Sequence, residues 1–160
     1  MSTLKLFNKL TSTFGQNIGS RLFTVGLYFT APYFSTCRPK IEQVTPGKAK
    51  VTMGSPWLNR NHLGTTHAIA QCNLIELTMG MVAEASIPSH LRWIPKGMDV
   101  SYLKGATGQL TATSEIDSAE FFRLNTYPGE VKVPVVCVDE AGDVVSKADI
   151  RLWISEKKKK

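Results

Sequence analysis

Apolar residues recur along this chain in two different rhythms, and the rhythms predict its elements. Leu6, Leu10, Phe14, Ile18 and Leu22 fall every four residues, on one slowly drifting helical face. They predict an amphipathic helical segment over residues 3–27, loosened by Gly15 and Gly19 and ended by Ala31-Pro32, because the residue before proline avoids the helical well. Arg38 to Val44 and Lys48 to Gly54 read as strands, joined by the turn Thr45-Pro46-Gly47. Ser55 to Leu63 reads as a loop. From Thr65 to Ala83 nearly every residue is apolar or small, as in a helix buried on all sides. Its polar members, His67, Gln71, Asn73 and Glu76, therefore each need a reason to be there. After it the period falls to two. Met98, Val100 and Tyr102 alternate with Asp99, Ser101 and Leu103, and a strand is expected near 109–116. Val131 to Val138 is a β-branched run in which Pro134 signals an edge or a bulge. Glu140-Ala141-Gly142-Asp143 is a hairpin turn, and Val144 to Ile154 places Ser146, Ala148, Ile150, Leu152 and Ile154 on one face.

A helix, two strands, a long apolar helix and about four antiparallel strands are satisfied by one arrangement: a single curved antiparallel sheet wrapped around the apolar helix. The class is α+β. The 160 residues, 42% hydrophobic and 20% charged, suit one domain. It would span 1–160, with residues 1–27 as an N-terminal helical extension and 156–160 as a basic tail.

Charge changes this picture at the two ends. Four of the net +6 charges come from Lys157–Lys160, a block that reads as a solvated tail or a contact with a membrane surface. No basic stripe with interleaved aromatics accompanies it, which argues against nucleic acid as a partner. Residues 1–41 hold five Lys or Arg and no acid. That composition fits either a mitochondrial transit peptide or an amphipathic helix that docks on the domain or on a partner subunit. The docked helix and a cytoplasmic location are the expectation, with the mitochondrial matrix as the alternative. Cys37, Cys72 and Cys137 are widely spaced and odd in number, which fits a reducing compartment, with Cys72 expected in the core. The apolar helix carries too many polar groups at its middle for stable membrane insertion.

Several chemistries lack their motifs. The three histidines, His62, His67 and His90, have no metal-ligand spacing. There is no G-x-S-x-G, no phosphate-cradling glycine loop and no dinucleotide fingerprint. No metal or cofactor is expected. What stands out is Asn61-x-x-Gly64-x-x-His67 at a helix start, followed by Glu76 nine residues later. A carboxylate on an apolar helix, near the positive end of that helix, is a candidate reaction centre.

This motif resembles that of the phenylacetate-pathway acyl-CoA thioesterases of the hotdog fold. The segments Ala31-Pro32-Tyr33, Asn61-His62-Leu63-Gly64-Thr65, His67-Ala68, Pro95-Lys96-Gly97-Met98 and Val100-Ser101-Tyr102-Leu103-Lys104 resemble one uncharacterised branch of that superfamily, over roughly residues 25–155. The resemblance implies a hotdog fold in which the Ala68 N–H polarises a thioester carbonyl. It implies that Glu76, from the facing subunit of a dimer, attacks the thioester or activates water. Asn61 would bind the carbonyl or the water, and His67 would orient the loop or the water. Gly64, Thr65, Thr66 and Tyr102 would line the substrate site, with Arg92, Lys96 and Lys104 either a solvated rim or contacts for coenzyme A phosphates. The substrate would be an acyl-CoA or acyl-carrier thioester, with coenzyme A present only as part of it, and the assembly a homodimer or a dimer of dimers. The alternative is a non-enzymatic acyl-CoA or fatty-acyl binding protein on the same fold. A hotdog dehydratase ranks low, since the chain has no His-Pro turn. Relatives commonly have His-Gly-Gly where this chain has His67-Ala68-Ile69, and Ile69 is expected to add bulk near the substrate.

Overall fold

The computed structural model describes residues 2–118 and 127–157. Its elements follow in the order α1 (Thr3–Thr30), β1 (Lys40–Thr45), β2 (Lys48–Met53), α2 (Ala68–Ser86), β3 (Leu91–Tyr102), β4 (Leu110–Glu115), β5 (Gly129–Val138) and β6 (Val144–Glu156). The six strands form one antiparallel sheet in the order β1-β2-β4-β5-β6-β3. Its concave face wraps α2, which touches every strand. Leu74, Ile75, Met79 and Val82 of α2 meet Val51, Leu110, Val133, Ile150 and Leu152 of the sheet in one buried core. Period two governs that face: in β6, Ser146, Ala148, Ile150, Leu152 and Ile154 are buried as their spacing predicts. Among the described residues, no helix is long and apolar enough to cross a membrane.

Pro134 lies in β5, a central strand. The pairing of β4 with β5 ends at Thr113–Val136, so Pro134 sits just beyond that ladder, where no N–H is needed on the β4 side. The Ser114 hydroxyl donates to the Pro134 carbonyl at 2.7 Å. In β3 the register with β6 shifts between Pro95 and Gly97, leaving Lys96 bulged. The bulge exchanges the strand's two faces. Trp93 before it and Met98, Val100 and Tyr102 after it therefore all lie on the α2 side.

The N-terminal stripe corrects the expectation of one docking face. Gly15, at φ 77° and ψ 160°, interrupts the helix and redirects its second half. Leu6 and Leu10 pack on the core, whereas Phe14, Ile18 and Leu22 lie exposed. The two halves touch at Gly19, where a Cβ would collide with the Leu10 carbonyl, and Phe7 meets Phe23 edge to face at 5.1 Å. The second half turns a polar row toward β1, at spacing four. Gln16 donates to the Glu42 carbonyl, Ser20 to the Ile41 carbonyl and Tyr28 to the Pro39 carbonyl, while Thr24 Oγ1 accepts the Ile41 N–H at 3.0 Å. These side chains occupy backbone groups that an edge strand otherwise leaves open. At the opposite edge, among the described residues, the twelve-residue β3 pairs with β6 alone.

Candidate functional site

The loop before α2 is built by Asn residues. Asn59, buried, donates to the Cys37 carbonyl at 3.0 Å and the Gly54 carbonyl at 3.3 Å, and its own carbonyl accepts the His67 N–H at 2.7 Å. Asn61 organises the turn inside that frame. Its Oδ1 accepts from the Leu63 and Thr65 amides and the Thr65 hydroxyl, and its Nδ2 donates to Thr65 Oγ1 at 2.9 Å. Gly64 takes φ +79°, which a side chain would resist. Thr66 is buried and fixes the loop to the chain after β3, its N–H donating to the Ala106 carbonyl at 2.7 Å.

His67 is the N-cap of α2, its Nδ1 accepting the Ile69 N–H at 3.1 Å. The Ala68 N–H, at the first position of the helix, makes no hydrogen bond to any described residue. It lies beside an open cavity of about 390 Å³, lined by Asn61, Thr65, Thr66, Ala68 and Gln71 on one side and by Tyr102 to Ala106 on the other. Helix N-termini attract negative charge, so this end of the cavity suits an oxyanion. Gln71 is 4% exposed. Its Nε2 donates to the Thr66 carbonyl at 3.3 Å, and its Oε1 is buried without a partner. A buried acceptor left unpaired at this cavity is a ready contact for a bound donor.

The polar residues of α2 now have their reasons, and one remains open. Asn73 donates to Cys37 Sγ at 3.1 Å, and its Oδ1 accepts from the Tyr33 hydroxyl at 3.3 Å. Glu76 is half-buried and makes no hydrogen bond or ion pair with a described residue. Its direction follows from its neighbours at spacing four. The Ala68 carbonyl and Cys72 Sγ both meet the Tyr102 hydroxyl, at 3.3 and 2.9 Å. Gly80 lies 3.6 Å, measured from its ideal Cβ, below the Trp93 indole, whose N–H donates to Glu84 at 3.0 Å. Ala68, Cys72, Gly80 and Glu84 thus all face β3, and Glu76 sits in the middle of their row. The helix is therefore not enclosed on every side: its β3 side is only partly covered, and Cys72, expected in the core, is half-exposed there.

Other predicted residues fall elsewhere. Ile69 is 55% exposed and lies outside the cavity lining, so its bulk points to solvent. The Lys104 ammonium lies 3.2 Å from Asp139 and 2.5 Å from Asp143, ion pairs that raise its pKa. Burial pushes the Asp139 carboxyl up, but Lys104 and the Asp143 and Ala141 amides hold it below the usual range. Lys104 is thus engaged in tying the end of β3 to the β5–β6 turn. Arg92 precedes Tyr102 by ten residues on one strand, about 33 Å at ordinary strand rise. It borders a different cavity, with Glu84 and Trp93. Lys96 is the bulged residue, its Nζ 6.0 Å from the Trp153 ring centroid. His62 is exposed on the outside of the loop. Among the described residues, no three His, Cys, Asp or Glu side chains group closely enough to hold a metal ion. The residues not singled out in advance are Asn59, whose partners come from distant segments, and the Cys72–Tyr102 pair, which forms only when α2 crosses β3.

Burial and the hydrogen bond with Cys72 push the Tyr102 hydroxyl up to about 12, and burial pushes the Cys137 thiol up to about 11. Both groups are acids whose neutral form the fold prefers. Their contribution is complete below the unfolded values, roughly 8.5 for Cys and 10 for Tyr. It is lost as pH rises through the folded values. Thermal unfolding followed across this range should give a melting temperature that falls from about pH 9 upward. A flat profile to pH 11 would refute the assignment.

Residues 19–154 match the model of a family described as a domain of unknown function (DUF4442). A structural-genomics target, APC5556, is similar at 35% identity and TM-score 0.79, over 94% of this chain and 99% of that one. The Pseudomonas aeruginosa protein PA5026, described as a probable thioesterase of unknown function, is 22% identical at TM-score 0.75, over 81% and 91% of the two chains. A thioesterase family protein from Silicibacter pomeroyi is 12% identical at TM-score 0.69, over 84% and 96%. At such identities the last two show a common fold. No curated protein matches the chain. With a family match across most of its length and a helix-in-sheet architecture shared with these structures, this chain belongs to the DUF4442 family of hotdog-fold proteins.

Proposed function

We propose that the protein is a thioesterase acting on an acyl-CoA or acyl-carrier thioester, at a site completed by a second copy of the chain. The observation that carries this reading is an Ala68 N–H at a helix start and a Glu76 two turns along, facing the edge strand β3, neither of them bonded to a described residue. A second sheet joined edge to edge at β3 covers that side and brings each Glu76 toward the other copy's cavity.

In the proposed reaction the thioester carbonyl oxygen lies at the Ala68 N–H. Glu76 of the partner subunit takes a proton from water, whose oxygen attacks the carbonyl carbon. The negative charge that develops on the carbonyl oxygen is held by the amide and the helix terminus. Collapse breaks the carbon–sulfur bond, and the departing thiolate takes up the proton that Glu76 accepted, which restores the carboxylate. Direct attack by the carboxylate, giving an anhydride that water then opens, uses the same groups. The Asn61 side chain is occupied by its own loop, which supports a role in shaping the site, and the His67 cap fixes where the Ala68 amide points. Thr65 and Thr66 form one wall of the cavity and Tyr102 part of the other, while Gly64 lies outside its lining and serves the turn of the loop. Cationic contacts for a coenzyme A phosphate would come from Arg92 of the partner subunit if the two β3 strands pair antiparallel about their middle.

The test is free-thiol release from acetyl- through palmitoyl-CoA and aromatic acyl-CoA, together with the oligomeric state by light scattering. Turnover by a dimer or tetramer is expected. A monomer at micromolar concentration contradicts the shared site, and binding of the panel without turnover assigns the fold to acyl-CoA binding instead.

A further inference from the structure

The second half of α1 carries an apolar face that the fold does not use. Ile18, Leu22, Val25 and Phe29 are 58%, 45%, 51% and 84% exposed. From Ile18 onward they recur at spacings of four, three and four, one continuous helical stripe, while the opposite face is spent on β1. The exposed aromatics Tyr33 and Trp57 lie on the loops beyond its end, and those loops are joined through Asn59 and Cys37. A monomeric surface rarely leaves such a stripe without a partner.

The charge around the stripe identifies its partner. The first 41 residues contain no acid. Lys5, Lys9 and Arg21 are exposed, and none is ion-paired with a described residue. Of the acids that approach from other elements, Glu42 is paired with Lys40 at 3.0 Å, and Glu84 accepts from Trp93 and Thr3. Lys157, which three further lysines follow in sequence, borders the same cavity as Ser2 and Thr3 at the start of α1. Two copies of this surface brought together would oppose cation to cation, whereas an anionic lipid surface complements both the charge and the apolar stripe.

We propose that α1 docks the protein peripherally on anionic membranes, with Ile18, Leu22, Val25 and Phe29 entering the headgroup boundary, Arg21 of the same half-helix meeting the lipid phosphates, and Lys5 and Lys9 of the first half adding to the attraction. The inference stands apart from the proposed hydrolysis, since no residue of the stripe lines the cavity at Ala68.

Co-sedimentation of the full chain with vesicles tests it. Each cation near an anionic surface is worth about fivefold in affinity, so phosphatidylglycerol-containing vesicles should bind about 10²-fold more tightly than phosphatidylcholine alone. High salt should remove the difference. The double variant Ile18→Ser, Phe29→Ser should lose vesicle binding while keeping its circular dichroism and its oligomeric state, because both side chains are exposed. Equal, weak binding to both vesicle types overturns the proposal. So does a double variant that changes oligomeric state, an outcome that would assign the stripe to a second copy of the chain.

Discussion

Glu76→Gln is expected to lower thioester hydrolysis by about 10²–10³-fold without unfolding the protein. The substitution keeps the shape of the side chain and removes only its capacity to accept a proton. Because Glu76 bonds no described residue and is only half-buried, the fold loses little when its charge goes. A structural acid would behave differently: its replacement would lower the melting temperature before it touched turnover. The partner residue can be tested with equal economy. Ala68 occupies the first helical position, where proline is well tolerated, and His67 before it already has the extended φ −58°, ψ 139° that a following proline requires. Ala68→Pro therefore deletes one N–H and leaves the helix, with an expected loss of about 10²–10³-fold. Mixing the two inactive chains then separates one-chain from two-chain sites. If the site spans subunits, each mixed dimer holds one site with both an intact amide and an intact carboxylate, and activity returns. No recovery in verified mixed dimers would place both groups within one chain's site.

Ser20→Ala combined with Thr24→Val should cost about 2–6 kcal/mol of stability, since each buried backbone group left without a partner costs about 1–3 kcal/mol. Ile41 is fully buried, its carbonyl accepts from Ser20, and its N–H donates to Thr24. Neither group has water to turn to. Urea unfolding measures the loss, and light scattering should show association through the reopened edge of β1. A double variant as stable as the parent would mean that α1 lies over β1 without sealing it. The same bonds make residues 16–28 part of the covering of β1.

Most of the architecture was legible because burial imposes its own period. The β6 face follows from its spacing, since a one-residue error would turn a whole face outward, while the two hairpin turns follow from their turn residues and α2 from its apolar run. The N-terminal region was less legible because its regular apolar period conceals the break at Gly15. Hydrophobic spacing alone does not show that Gln16, Ser20, Thr24 and Tyr28 would be the inward row. Hydroxyls on a helix usually read as solvent-facing, and only the unpaired edge of β1 gives them work. At the site, the Asn61–His67 spacing and Glu76 stood out because polar groups on an apolar helix need explanation. Lys104 and Arg92 did not resolve themselves in this way. Whether a cation is free or committed depends on Asp139 and Asp143, which arrive from a distant turn.

The Lys96 bulge in β3 has a consequence for how this chain can vary in length. Because the bulge takes Lys96 out of the ladder, Trp93 and Tyr102 share a side although their positions differ by an odd number. Loss of Lys96 itself would leave an unbroken ladder and keep Met98, Val100 and Tyr102 on the α2 side, whereas one more residue paired into the ladder between the bulge and Met98 would turn all three to the outer surface. The stretch should therefore accept deletion of Lys96 far more readily than an insertion of one residue after it.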